Sequence, residues 1–148
     1  MTKFTINPLK NKQYQNIKAG LYLISTPIGN LHDISLRALK ILENLDLLLA
    51  EDTRKAKYLY DYFEIQKPLG GIISLNEHNE DKVIPKILEK ICDYPILGYI
   101  CDAGTPCISD PGFKLTIELR NNHIPIFPIP GPSALTAAMS VCGINYDC

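Results

Sequence analysis

No apolar run in this 148-residue chain approaches the roughly 20 residues that a membrane-spanning helix needs. The opening residues, "MTKFTINPLKNKQYQNIKAG", are polar and lack the apolar core of a signal peptide. Excess positive charge is missing too: the formal net charge is -1, so no general basic field advertises non-specific binding to nucleic acid. Close cysteine pairs are absent. The five cysteines, Cys92, Cys101, Cys107, Cys142 and Cys148, are odd in number and widely spaced, which excludes a disulfide framework. With only three scattered histidines, no metal site is expected. These absences point to reduced thiols and a cytoplasmic location. Neither the G-x-G-x-x-G dinucleotide pattern nor a P-loop occurs, and Pro27 stands where the former would place glycine. No repeat or low-complexity tract is visible.

What is present is ordinary for one soluble domain: 46% hydrophobic and 21% charged residues. Residues 1–19 read as a tail. Short apolar runs then alternate with helical patterns. Strands are expected at Leu21–Ile24, "DLLLA", "GIISL", "ILGYIC" and "IPIFPI". Between them, Ile34, Ala38, Ile41, Leu42 and Leu45 form a first helical stripe, with Asp33 as its N-cap. Ala56, Leu59, Tyr60 and Phe63 form a second, capped by Thr53. Val83, Ile84, Ile87, Leu88 and Ile91 form a third, starting near Glu80 to Lys82 so that Pro85 stays close to the first turn. Asp110 is expected to cap a fourth helix with Pro111 at its first position, and Gly143 to stop a fifth. Continuously apolar strands alternating with helices imply an α/β fold, a five-stranded, mainly parallel sheet covered by helices on both faces.

In such a sheet, ligands bind beyond the carboxyl ends of the strands. Those ends carry "STPIGN", "EDTR", "NEHNE", "DAGTP" and "PGPSA", five polar or Gly/Pro loops on one rim. "TPIGN" is either a tight turn or a ligand loop. Asp52 serves either the helix dipole or the site, whereas Glu51 and Arg54 have no such ready structural role. His78 is either solvated or catalytic. Gly104 lets a ligand approach the backbone, Asp102 offers a carboxylate to hydroxyls or a cation, and Thr105 adds a hydroxyl. Ser133 either caps the last helix or binds a ligand.

Taken together, "LYLISTPIGNLHDISLRAL", "LLLAEDTR", "SLNEHNE", "CDAGTPCISDPG" and "PIPGPSALTAA" resemble, in order, the bacterial ribosomal RNA small-subunit methyltransferase I family of the tetrapyrrole (corrin/porphyrin) methylase superfamily. The resemblance spans Gly20 to Ile144. It implies an S-adenosylmethionine-dependent enzyme that methylates the ribose 2′-hydroxyl of a cytidine in the decoding region of 16S ribosomal RNA. The implied partner is the 30S subunit, and the implied full-length enzyme is a homodimer. By motif, Pro27 and Ile28 line the donor pocket, Asp102, Gly104 and Thr105 hold the methionine and ribose parts, and Ser133 and Ala134 contact the methionine or adenine. Candidate general bases are Glu51, Asp52 and His78, which end neighbouring strands. Arg54 and Asn79 are candidates for the RNA contact, Arg54 through a bidentate phosphate interaction.

The chain departs from the family at Cys101, where a small polar residue is common, and at Cys107, where glycine or leucine is common. It is also about half the family's length. Residues 145–148 are therefore expected to open a linker to a second α/β domain absent here. Two other readings are a methylase of a tetrapyrrole-like small substrate and a non-catalytic remnant.

Overall fold

The computed structural model describes residues 17–108 and 111–144. Five strands, β1 (Gly20–Ile24), β2 (Leu47–Ala50), β3 (Ile72–Ser74), β4 (Ile96–Ile100) and β5 (Ile126–Ile129), form one parallel sheet in the order β3-β2-β4-β1-β5. Helices α1 (Leu36–Glu43), α2 (Thr53–Tyr62), α3 (Glu80–Lys90), α4 (Phe113–Asn121) and α5 (Ala134–Val141) follow the strands in turn.

The period-2 alternation of strand side chains divides the core into two layers. Leu48 and Ala50 of β2 join Tyr22, Ile24 and Ile100 on the face covered by α1 and α2, through Ala38, Ile41, Leu42, Ala56, Leu59 and Tyr60. Leu47 and Leu49 join Leu21, Leu97 and Tyr99 on the opposite face, covered by Ile84 and Ile87 of α3 and Leu115 and Leu119 of α4. The central strands β1, β2 and β4 are buried on both faces, which is why they read as unbroken apolar runs. The two buried tyrosines place their hydroxyls on carbonyls: Tyr60 donates to Leu42 at 2.9 Å and Tyr99 to Pro111 at 2.9 Å. The end of the expected tail is tied down, since the Tyr22 hydroxyl donates to the Lys18 carbonyl at 2.8 Å and Ile17 packs against the first layer.

The central residues of the helical stripes lie on the helices, whereas Ile34 and Leu45 flank α1 and Phe63 and Ile91 fall just past α2 and α3, and three caps differ from expectation. Ser35, not Asp33, caps α1, its hydroxyl accepting from the Ala38 N–H at 3.0 Å. Asp33 instead belongs to a short 3₁₀ turn, Leu31–Asp33, which shifts the helix start by two residues. Asp52, not Thr53, caps α2 by accepting from the Arg54 N–H at 2.8 Å, and the ionised carboxylate is the better acceptor there. Helix α4 begins at Phe113 behind Gly112, whose φ of 107° is left-handed, so Pro111 lies outside the helix. Asp110 is outside the described residues. Helix α3 begins at Glu80 as expected, yet Pro85 falls in its second turn on the exposed side. Gly143 takes φ 70°, the left-handed stop expected after α5.

Leu48 and Leu49 are fully buried and belong to opposite layers. Truncating either to alanine is expected to lower stability by about 2–5 kcal/mol. In urea titrations this appears as a lower midpoint at unchanged slope.

Candidate functional site

The chain leaves β1 toward one face of the sheet and leaves the adjacent β4 toward the other, so the crevice of an open parallel sheet opens between these two carboxyl ends. The two loops do not merely lie side by side. Thr26 N–H donates to the Gly104 carbonyl at 2.8 Å and Gly104 N–H returns the bond to Thr26 at 3.0 Å, an antiparallel bridge across the gap. Gly104 takes φ 84°, which favours glycine, and a β-carbon there would stand 3.4 Å from Ile28 Cγ2. A third loop joins them. The Ser25 hydroxyl meets that of Thr105 at 3.0 Å, and Thr105 donates to the Pro132 carbonyl at 3.2 Å.

Beside this knot lies a cleft of about 150 Å³, lined by Thr26, Pro27, Asp52, Lys55, Tyr58 and Asp102, with Leu31, Ala56, Leu59, Ile100 and Cys101 behind them. Asp102 is its distinctive residue. Its backbone N–H donates to Glu51 Oε2 at 3.1 Å, and its Oδ2 accepts from the Lys55 ammonium at 2.5 Å. Its Oδ1 is buried and has no hydrogen-bond partner among the described residues. A buried carboxylate oxygen left unpaired is costly unless something comes to satisfy it. The Asp102 carboxylate in turn raises the pKa of Lys55.

The sequence candidates separate into groups. Pro27, Asp52 and Asp102 line the cleft. Glu51 touches it through Asp102. Ile28, Gly104 and Thr105 form the adjoining rim, but the Thr105 hydroxyl is already engaged in holding two loops. Ser133 is the N-cap residue of α5 without a side-chain capping bond, while Ala134 is exposed at the helix start. Asp52 is committed: it caps α2 and receives Arg54 Nη2 at 2.7 Å and Nε at 3.1 Å. The Arg54 guanidinium and N–H hold the Asp52 pKa at about 2, below its ordinary value. His78 lies exposed in the turn after β3, at the sheet edge and outside the cleft lining. The Asn79 side chain is used up locally, accepting from Asn76 N–H at 2.9 Å and donating to the Ser74 carbonyl at 3.0 Å.

Three residues escaped the sequence reading. Lys55 reaches Asp102 across 47 positions, a pairing with no local signature. Ser25 is buried and ties loops together. Glu80, the last residue of "NEHNE", is buried rather than solvated, and its Oε1 accepts from the Gly112 N–H at 2.8 Å. That bond and the Tyr99–Pro111 bond anchor the far end of the β4 loop. Cys107, in that same loop, adopts a left-handed φ of 65°. Glycine suits such a position better than a residue with a β-carbon. Among the described residues no cluster of three or more His, Cys, Asp or Glu side chains could hold a metal ion. None of the described helices is long and apolar enough to cross a membrane.

Residues 20–148 match the tetrapyrrole (corrin/porphyrin) methylases. The chain belongs to this family. It is similar to proteins named ribosomal RNA small subunit methyltransferase I: 45% identical over 124 residues to that of Xylella fastidiosa, covering 84% of this chain and 44% of the relative. To the protein of Thermotoga maritima it is 46% identical over 123 residues, 83% of this chain and 54% of the relative. The chain therefore spans about half the length of the curated relatives it matches. Solved methylase structures share the fold. Cobalt precorrin-4 methyltransferase superimposes with a TM-score of 0.64 at 19% identity, over 81% of this chain and 48% of that one. Uroporphyrin-III C-methyl transferase from Thermus thermophilus, solved with S-adenyl homocysteine, gives 0.60 at 16% identity, over 81% and 51%.

Because the folded pKa of Asp52 lies below the ordinary value of 3.8, its stabilisation is complete above that pH and is lost as pH falls toward about 2. An Asp52→Asn variant, which keeps the cap, is expected to lose less stability than wild type between pH 4 and 2 in low-salt thermal melts.

Proposed function

We propose that this chain carries the donor half of an S-adenosylmethionine-dependent methyltransferase that acts on small-subunit ribosomal RNA. The buried Asp102 Oδ1, unpaired in the wall of the cleft, carries this reading, because it is an acceptor held ready for a hydroxyl or a cationic centre. The donor has both, in its ribose and in its ammonium and sulfonium groups. The residues fit it further: Gly104 admits a close approach to the backbone, Pro27 and Ile28 offer apolar surface, and the Ser133 hydroxyl is not used to cap α5. When bound, the donor supplies an electrophilic methyl group. The ribosomal RNA substrate is favoured over a tetrapyrrole because relatives at 45–46% identity bear that name, whereas the porphyrin and corrin enzymes agree at 16–19%. The finer assignments, a cytidine ribose 2′-hydroxyl in the decoding region, the 30S particle as substrate and a homodimeric full-length enzyme, belong to the same reading.

Transfer to a hydroxyl is chiefly a matter of alignment, helped by a base that draws off the proton. Of the three carboxylate and imidazole candidates, Glu51 suits that role best. Its Oε2 holds the Asp102 N–H, and its other oxygen remains for a substrate proton. Asp52 keeps α2 and Arg54 in place, and His78 stands outside the cleft.

Calorimetric titration of the chain with S-adenosylmethionine is expected to show binding that Asp102→Ala abolishes while circular dichroism remains native. Unchanged binding by the variant overturns the assignment of the cleft. For the base, Glu51→Gln preserves the acceptor for Asp102 N–H, so donor affinity should hold. Single-turnover methyl transfer to small ribosomal subunits should then fall roughly 10²–10⁴-fold. Equal turnover in variant and wild type removes Glu51 from the mechanism.

A further inference from the structure

The outward side of α2 is unusual in composition. Its exposed positions are Arg54, Lys55, Lys57, Tyr58, Asp61 and Tyr62: charged residues and tyrosines, with no aliphatic side chain. Arg54, Tyr58 and Tyr62 are spaced i, i+4, i+8 and so form one ridge about 12 Å long. Tyr58 is 59% exposed and Tyr62 43% exposed. The ridge leads directly into the cleft, since Tyr58 lines it alongside Asp102.

The tyrosines are also braced. Their ring centroids lie 6.2 Å apart. Tyr62 packs edge-on against Phe63 at 5.0 Å, and its hydroxyl meets His32 Nε2 at 3.2 Å. Rigid, exposed aromatic faces interleaved with cations suit unpaired bases and phosphates. A protein partner seeking an apolar groove finds no aliphatic surface on this helix. The cations can reach phosphate. Lys57 forms no ion pair with a described residue, and the Arg54 side chain, though paired through Nε and Nη2 with Asp52, is 89% exposed and open to a phosphate on its outer side. Asp61, the acid among the exposed positions of α2, is engaged by Lys67.

We propose that the Arg54–Tyr58–Tyr62 ridge of α2 is the RNA platform that feeds the cleft, with the tyrosines stacking unpaired bases and Arg54 and Lys57 holding phosphates. The proposal rests on the ribosomal RNA reading and names the surface through which it operates.

The test is fluorescence anisotropy of a labelled single-stranded, cytidine-containing oligoribonucleotide titrated with the full chain. Tyr58→Leu, which keeps apolar bulk but loses the π-face, is expected to weaken binding roughly five- to a hundredfold, and Tyr58→Trp to retain it. Lys57→Ala is expected to lower the slope of log affinity against log salt by roughly 0.7. RNA binding that survives Tyr58→Leu and Tyr62→Leu unchanged overturns the platform and leaves the RNA reading standing. A wild-type chain that binds S-adenosylmethionine but no RNA overturns both. Tyrosine variants that change self-association in sedimentation, with RNA affinity intact, assign the ridge to a second copy of the chain and overturn the proposal.

Discussion

The reciprocal pair of hydrogen bonds between Thr26 and Gly104 is the constraint on which the site depends. Two parallel strands, β1 and β4, end next to each other, and their chains then depart to opposite faces of the sheet. Left alone, the two loops would diverge and leave several backbone groups unpaired. The bridge continues the sheet by one antiparallel rung and converts the fork into a closed wall. It requires a left-handed residue at Gly104, which explains the glycine in "DAGTP" by a backbone need as well as by ligand access. Everything else in the cleft is positioned relative to that wall. Asp102 lies two residues before the bridge and Pro27 one residue after it.

The loop after β4 is secured at both ends and from both faces of the sheet. Glu51, at the end of β2, holds its first turn through the Asp102 N–H. Glu80, at the start of α3, holds its last turn through the Gly112 N–H, and Tyr99 grips Pro111. Side chains and backbone amides provide these restraints without using the Asp102 carboxylate oxygen that matters. That division of labour is what permits one buried acceptor to remain unpaired. A mobile loop would rotate Asp102 into solvent and satisfy it there. A loop fixed by its neighbours cannot, so the unmet hydrogen bond is available to a ligand as binding energy.

How far this was legible from the sequence depends on the range of the interaction. Apolar periodicity placed all five strands and the buried faces of α1 and α2, because dry sheets and amphipathic helices impose patterns on neighbouring residues. Caps were less well placed. "LHDIS" offers two capping residues, and a 3₁₀ turn selects Ser35 over Asp33. "EDTR" likewise offers Asp52 and Thr53 in succession. The site was legible as a set of loops but not as a set of contacts. Lys55 meets Asp102 only because α2 starts beside the end of β4, and Glu80 is buried only because α3 and α4 pack together. Residue type alone did not show that Glu80, Asp52 and Asn79 each meet a backbone group, at Gly112, Arg54 and Ser74 respectively.

Charge makes the same point about the substrate. A net charge of -1 gives no global sign of a nucleic-acid partner, yet electrostatic recognition works over distances of about a Debye length, roughly 8–10 Å. What matters is the local arrangement at the mouth of the cleft. There, the Lys55 and Arg54 charges are balanced by Asp102 and Asp52 rather than displayed as a bare basic patch. Balanced pairs weaken the local positive field that would attract polyanions indiscriminately. On the proposed RNA reading, selectivity derives from the coincidence of aromatic stacking and phosphate contact on one ridge, neither of which composition alone reveals.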